Sequence, residues 1–261
     1  MKISICGKGG SGKSTLVALL AVALKEKKYR VLVVDSDESN SGLFRMLGFD
    51  SPPVPLMDLM GGKKGVKQKM AVRFSSGEPE HKMDVMTQDT IRLKEISSPY
   101  MQEKDGIRLV AVGKILQSLE GCACPMGVLS REFLKKLCLE PDEVVLVDME
   151  AGIEHFGRGV ETSVDTVLIV VEPSFESLSL AKKVHVLASE IGLCNVWAVL
   201  NKISSEELAL KLKCELVNDS VTVIGSVCYD PTIFEACLEG NPFYMHSEAM
   251  KDSQKILDKL L

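Results

Sequence analysis

The stretch Gly7-Lys8-Gly9-Gly10-Ser11-Gly12-Lys13-Ser14-Thr15 lies between a short apolar run, Ile3-Ser4-Ile5-Cys6, and a longer one at residues 16–24. Its spacing fits G-x-x-x-x-G-K-[ST], the phosphate-binding loop that joins a strand to a helix, with an additional lysine at position 8. Glycines at this spacing let successive backbone N–H groups turn inward around phosphate oxygens. The helix that follows adds the positive end of its dipole. Gly7, Gly9, Gly10, Ser11, Gly12 and Thr15 are therefore expected to cradle phosphates. Lys13 is expected to neutralise the β- and γ-phosphates, and the Ser14 hydroxyl to take a Mg²⁺ position. The loop predicts a nucleoside triphosphate site at the start of an α/β sheet.

Outward from that loop, short β-branched runs alternate with helical stretches. Residues 30–34, 107–112, 144–147, 166–171, 196–200 and 221–224 read as strands. Most are continuously apolar, as strands covered by helices on both faces are. Helical periodicity follows the loop and recurs at 178–191 and 206–216. The pattern predicts a three-layer, doubly wound, mostly parallel sheet. With 261 residues, 46% of them hydrophobic, the chain is long enough to build it as a single domain over residues 1–261. Residues 51–106 break the rhythm. Prolines at 52, 53, 55, 79 and 99, a Gly61-Gly62-Lys63-Lys64-Gly65 patch and few periodic runs mark an insertion on the same domain. Residues 83–86 are a candidate short strand there. Lys63, Lys64, Lys67 and Lys69 read either as a docking surface or as a solvated helix face.

A net charge of −5 gives no reason to expect nucleic acid or an acidic membrane as partner. No secretory leader precedes the first strand, and no apolar run reaches the length of a membrane span, so a cytoplasmic location is expected. Eight cysteines in such a chain point to buried thiols, metal ligation or redox use rather than to disulfides.

Hydrolysis of a bound triphosphate needs an acidic residue at a strand end near Mg²⁺ and a group that meets the γ-phosphate. The run 144–152, VVLVDMEAG, supplies both. Asp148 closes an apolar strand where it can hold a Mg²⁺-bound water, and Gly152 offers a backbone N–H that no side chain shields. Val33-Val34-Asp35-Ser36-Asp37 is a second acidic strand end. Asp35 suits the loop side or Mg²⁺ hydration, and Asp37, further out, suits positioning of the attacking water. Phosphoryl transfer is mostly positioning and charge stabilisation, so one well-placed carboxylate with Lys8 and Lys13 suffices. Asn201 and Lys202 follow the 196–200 run as candidate base-reading residues, because an Asn amide both donates to and accepts from adenine. The other reading of the pair is a structural turn. Asp230-Pro231 closes a later strand and is expected in the same pocket.

Cys122-Ala123-Cys124-Pro125 precedes a helix expected to begin near Pro125, since proline suits a first helical turn. A helix N-terminus favours thiolate and hence metal ligation. Two thiolates are half of a tetrahedral Zn²⁺ or similarly soft site, which a second chain at a two-fold axis completes. Two unrelated buried thiols are the other reading. Cys6, Cys138, Cys194, Cys214, Cys228 and Cys237 mostly lie in apolar patterns and read as core. His155 reads as packing behind the 148–152 run or as a transient metal ligand.

The run from Lys8 to Thr15 resembles the deviant Walker A motif of the MinD/ParA/nitrogenase iron protein class of ATPases. Asp37 and the 148–152 run resemble that class's two switch regions. The resemblance implies a nitrogenase iron protein-like fold, with ATP and Mg²⁺ bound and Lys8 reaching the partner's phosphates across a nucleotide-sandwiched homodimer. Gly121-Cys122-Ala123-Cys124-Pro125-Met126, together with the run from Asp148 to His155, resembles the carbon monoxide dehydrogenase maturation ATPases of the CooC family. That resemblance implies ATP-coupled nickel insertion into a nickel–iron–sulfur cluster, with Cys122 and Cys124 holding Ni²⁺ or Zn²⁺ between two subunits. It implies a nickel enzyme as recipient, carbon monoxide dehydrogenase or acetyl-CoA synthase, and a homodimer induced by ATP or by metal. Two other functions fit the wider class: a MinD/ParA-type regulator on membrane or DNA, and an iron–sulfur carrier or ATP-driven electron donor. The C-terminal stripe Ile256, Leu257, Leu260 and Leu261 is interrupted on its basic face by Asp252 and Asp258. It reads as a helix packed on its own domain rather than a membrane surface. No cysteine occurs between Asp148 and Val171, which counts against the electron donor.

Overall fold

The computed structural model of this chain describes residues 1–40, 42–75, 86–114, 124–243 and 247–261, with the backbone alone for 72–75. β1 (Lys2–Gly7) leads through the phosphate-binding loop into α1 (Lys13–Glu26), and β2 (Arg30–Asp35) follows. Two single-turn helices, α2 (Leu43–Met46) and α3 (Leu56–Leu59), precede α4 (Gly62–Ser75). The hairpin β3 (Met101–Lys104) and β4 (Ile107–Ala111) comes next, then α5 (Cys124–Lys136), β5 (Glu143–Asp148) and the short α6 (Glu154–Gly157). The chain closes with β6 (Thr166–Val171), α7 (Phe175–Glu190), β7 (Val196–Ile203), α8 (Glu206–Asn218), β8 (Val223–Cys228), α9 (Pro231–Glu239) and α10 (Glu248–Leu260).

Among the described residues the strands form one 8-stranded sheet in the order β3-β4-β2-β5-β1-β6-β7-β8, parallel except for β3. This is the expected three-layer architecture. Alternation along each strand sends one set of side chains to each face. Ile3 and Ile5 pack with Leu16, Leu20 and Leu24 of α1 and with Ile256 and Leu257 of α10. On the opposite face Cys6, Val145 and Val147 pack with Phe133 and Leu134 of α5, and with Ala181 and Val184 of α7. Of the C-terminal stripe, Ile256 and Leu257 are buried in this core and Leu260 packs against it half-buried, while Leu261 is exposed. Among the described residues no helix is long and apolar enough to cross a membrane.

The elements start where local chemistry lets them. Ser174, Ser205 and Ser247 cap α7, α8 and α10, their side chains accepting from the backbone N–H three residues on. Asp230 caps α9, with Pro231 at its first turn.

Three expectations are refined. The strand expected at 221–224 runs over Val223–Cys228, because the edge position lets Gly225 and Ser226 take part while Gly225 lies against Ile256 of α10. The polar segment Met101–Lys104, within the region read as an insertion, pairs antiparallel with β4 and completes the sheet. Asp105 and Gly106, with φ of 51° and 81°, form its turn, a conformation that Asp-Gly suits. On α4, Val66 and Met70 are buried while Lys64, Lys67 and Lys69 point outward, as a solvated face does. Of the candidate strand 83–86, residues 83–85 lie outside the described residues.

Candidate functional site

In a parallel sheet every strand delivers its C-terminal end to the same edge, where ligands of α/β folds bind. Here β1 delivers the phosphate-binding loop there, β2 Asp35 and Asp37, β4 Lys114, β5 Asp148 and Gly152, β6 Glu172, and β7 Asn201 and Lys202. β1 lies between β5 and β6, so the loop has the acidic strand ends on one side and the Asn201 side on the other.

The loop is folded on its own backbone, with the Ser11 N–H donating to the Lys8 carbonyl at 3.1 Å. Gly12 sits at φ 97°, and a side chain there would run into the Asn201 amide. That amide donates to the Ser11 carbonyl at 2.8 Å, so Asn201 spends part of its donor capacity holding the loop. Lys13 is buried, and its Nζ reaches the Lys8 carbonyl at 3.4 Å. Gly9 abuts Ala151, while the Gly152 N–H donates to the Gly7 carbonyl at 3.3 Å. The N–H expected to meet a γ-phosphate is therefore occupied by the loop itself in this conformation.

Ser14 Oγ donates to Asp148 Oδ2 at 2.5 Å and accepts from Asn40 Nδ2 at 2.6 Å. Asp148 is fully buried, and its Oδ1 has no hydrogen-bond partner among the described residues. Burial, aided by the charge of Asp35, pushes the Asp148 carboxyl up to about 7. Burial likewise pushes Asp35 up to about 6, against the pull of Lys114, whose ammonium lies 2.8 Å away. Lys114 donates also to the carbonyls of Asp37 and Asn40 and so ties the loop after β2 to the end of β4. Asp37 Oδ1 accepts from the Ser39 N–H, the Ser39 hydroxyl and the Asn40 N–H at 2.9, 2.7 and 3.2 Å. A hydroxyl, a buried carboxylate with an unused oxygen, and further carboxylates beside them are hard oxygen donors of the kind Mg²⁺ takes.

Beyond Gly12 and Thr15 a cavity of about 210 Å³ opens, lined among others by Asn201, Lys202, Tyr229, Asp230, Ile233 and Phe234. Its size and mixed lining suit a nucleoside base. Pro231 is exposed at the start of α9, between the lining residues Asp230 and Ile233. Lys202, at φ 59°, directs Nζ to the Gly10 carbonyl at 2.6 Å and to Glu172. Lys8 pairs with the same carboxylate.

Glu172 and Lys114 were not singled out from the sequence. Both follow apolar strand runs, the signal that exposed Asp35 and Asp148, and Glu172 was findable by the same rule.

Cys124 opens α5, half-buried, and is disulfide-bonded. Cys122 lies outside the described residues. The bond departs from the expectation of unbonded thiols. A helix N-terminus favours thiolate, the species that enters thiol–disulfide exchange. Cys138, Cys194 and Cys214 are exposed rather than core, at loop positions or on the outer face of α8, whereas Cys6 is buried. His155 is buried, with Nδ1 against Glu161 and Nε2 3.1 Å from the Gly152 carbonyl, a packing position behind that glycine. Among the described residues no group of three or more His, Cys, Asp or Glu side chains is arranged to hold a metal ion.

α5 touches the segments that follow β2 and β5, both on the acidic side of the loop. Its Ser130 hydroxyl accepts from Ser36 Oγ at 2.9 Å, and Arg131 donates to the Arg158 carbonyl at 2.8 Å. Arg158 in turn pairs with Glu150 and packs its stem on Gly127.

A family profile described as the CobQ/CobB/MinD/ParA nucleotide binding domain matches residues 3–243. An ATP-binding protein of Methanocaldococcus jannaschii is 41% identical over 259 residues, covering 99% of this chain and 100% of the relative. The carbon monoxide dehydrogenase accessory protein CooC of Rhodospirillum rubrum is 31% identical over 258 residues, covering 98% and 94%. Among solved structures, the septum site-determining protein MinD of Pyrococcus horikoshii, complexed with Mg-ADP, superposes with a TM-score of 0.69 at 22% identity. That superposition covers 99% of this chain and 95% of the other.

Proposed function

The chain belongs to the CobQ/CobB/MinD/ParA nucleotide-binding family and is a P-loop ATPase, and from that premise we propose that it is an ATP-driven nickel chaperone acting as a homodimer. The observation that carries this reading is the position of Cys124. It is the first residue of α5, the helix bonded through Ser130 and Arg131 to the segments after β2 and β5 that carry Asp37 and Gly152. A change in those loops on ATP binding is thereby felt at the thiol end of α5.

In this reading the backbone from Gly7 to Thr15 wraps the phosphates, and Lys13 neutralises the β/γ oxygens. Ser14 and Asp148 hold Mg²⁺, which spreads the negative charge of the transferring phosphoryl group. Asp37 orients the attacking water. The Gly152 N–H leaves the Gly7 carbonyl for the γ-phosphate, which draws the 148–158 segment and α5 with it. Lys8 of each chain reaches the nucleotide of the other, so hydrolysis reports on pairing. Asn201, Lys202 and the cavity beside Asp230 and Pro231 receive the base.

In reduced protein Cys122 and Cys124 supply two thiolates per chain. A paired chain completes four, a site for Ni²⁺ or Zn²⁺ as cargo. The likeness to the Rhodospirillum rubrum accessory protein supports a nickel enzyme as recipient, carbon monoxide dehydrogenase before acetyl-CoA synthase.

Equilibrium dialysis of the reduced chain, with and without a non-hydrolysable ATP analogue, tests the reading. One nickel or zinc ion per dimer is expected in the unmodified protein and none in Cys122→Ser/Cys124→Ser, with nucleotide binding retained. Unchanged metal uptake by the double variant would sink it. An iron–sulfur absorption spectrum from anaerobically purified chain would instead assign the same thiolates to a cluster.

A further inference from the structure

The parallel register that sets Gly7 beside Val170 brings the residue after β6, Glu172, next to Lys8. The Glu172 carboxylate is divided between two lysines. Oε1 accepts from Lys8 Nζ at 3.1 Å, and Oε2 from Lys202 Nζ at 2.8 Å. It is also a held group. Lys202 is anchored on the Gly10 carbonyl at 2.6 Å, and the Glu172 N–H donates to Ser177 Oγ at 3.1 Å. Its side chain is 17% exposed, against 36% for Lys8. Burial pushes the carboxyl up, but the hydrogen bonds from Lys202 and Lys8 outweigh it, and the group sits below the usual glutamate range. The carboxylate is therefore charged at neutral pH, a few ångströms from the loop that must receive a polyanion.

We propose that Glu172 is the counter-ion that keeps Lys8 within its own chain until two ATP-loaded chains pair, so that closure exchanges a Lys8–Glu172 contact in each chain for a Lys8–phosphate contact between chains. The exchange favours the triphosphate over the diphosphate, because the more highly charged anion competes better with a single carboxylate for one ammonium. Lys202 has the complementary task. Fixed on Gly10, it holds Glu172 in place after Lys8 has left. Glu172 is thus a positioning residue, acting on the nucleotide through Lys8.

The inference rests on the reading of Lys8 as a lysine that acts across the dimer. Its test is the dimer dissociation constant by sedimentation velocity at saturating non-hydrolysable ATP analogue and Mg²⁺. Glu172→Gln preserves the shape and removes the charge. A partly exposed ion pair corresponds to a factor of about 2 to 5, and each dimer releases two of them, so pairing should tighten on the order of 10-fold. In a Lys8→Ala background the same substitution should do nothing further, and Glu172→Asp should restore part of the resting weakness. Thermal melting of each variant monitors folding.

An unchanged constant in Glu172→Gln, with Lys8→Ala impaired, overturns the counter-ion role alone. The same tightening in the Lys8→Ala background overturns it too, by assigning the effect to Lys202. Lys8→Ala that pairs as tightly as the unmodified chain removes the reading of Lys8, and the role of Glu172 with it.

Discussion

Asp148 brings a carboxylate to a fully buried position where only one of its oxygens is answered. In the folded chain its carboxyl is pushed up to about 7, against about 4 when unfolded. Between those values the folded form holds the extra proton, so the nucleotide-free chain loses stability as pH rises from about 4 to about 7. Asp35, pushed up to about 6, adds to the same slope. Asp148→Asn keeps the shape and removes the larger titration. Its melting temperature should therefore vary less between pH 5 and pH 8, while ATP hydrolysis falls on the order of 100-fold or more. A pH slope undiminished in the variant would assign the titration to other groups. Mg-nucleotide binding calls for the ionised carboxylate and should tighten over the same interval. At this scale the sequence was informative wherever an apolar run ends in an acid, as at Asp35, Asp37 and Asp148. What Asn40, Lys114 and Glu172 do was not legible, because their partners lie on other strands and only the strand order brings them together.

Among the elements, α5 is the one whose contacts reach furthest. It is bonded to Ser36 after β2 and to the Arg158 carbonyl after β5. Gly127 lets it lie against the Arg158 stem, where a Cβ would meet Arg158 Cβ, Cγ and Cδ. Gly127→Ala should force the two apart, destabilising the chain by about 1–3 kcal/mol in urea unfolding. It should also weaken the dependence of Cys124 alkylation, in reduced protein, on bound nucleotide. An alkylation rate that responds to nucleotide as before would show that the coupling runs elsewhere. The buried strands were legible as continuous apolar runs. β3 was not, since Met101-Gln102-Glu103-Lys104 carries no strand periodicity and forms by pairing with the open edge of β4. The Asp105-Gly106 turn was the one local signal for it. Edge strand β8 was displaced for a similar reason, its small residues owing their place to α10.

For the molecule as a whole, α10 closes the face of the sheet that α1 leaves open, with Ile256 and Leu257 fully covered. Leu257→Ala should cost about 2–5 kcal/mol of stability, read from the midpoint of cooperative urea unfolding. A loss below about 0.5 kcal/mol would mean that the helix docks weakly and is free for other contacts. The sheet order has a further consequence. β1 divides it into one wing of β5, β2, β4 and β3 and another of β6, β7 and β8. The first wing carries Asp35, Asp148, Lys114 and the helix that begins at Cys124. The second carries Glu172, Asn201 and the cavity beside Asp230. The cavity beside Asp230 and the start of α5 thus sit on opposite wings of one sheet, with the loop after β1 between them. Substitutions around the start of α5 can therefore accumulate without reshaping the cavity beside Asp230, a separation that the strand order alone provides.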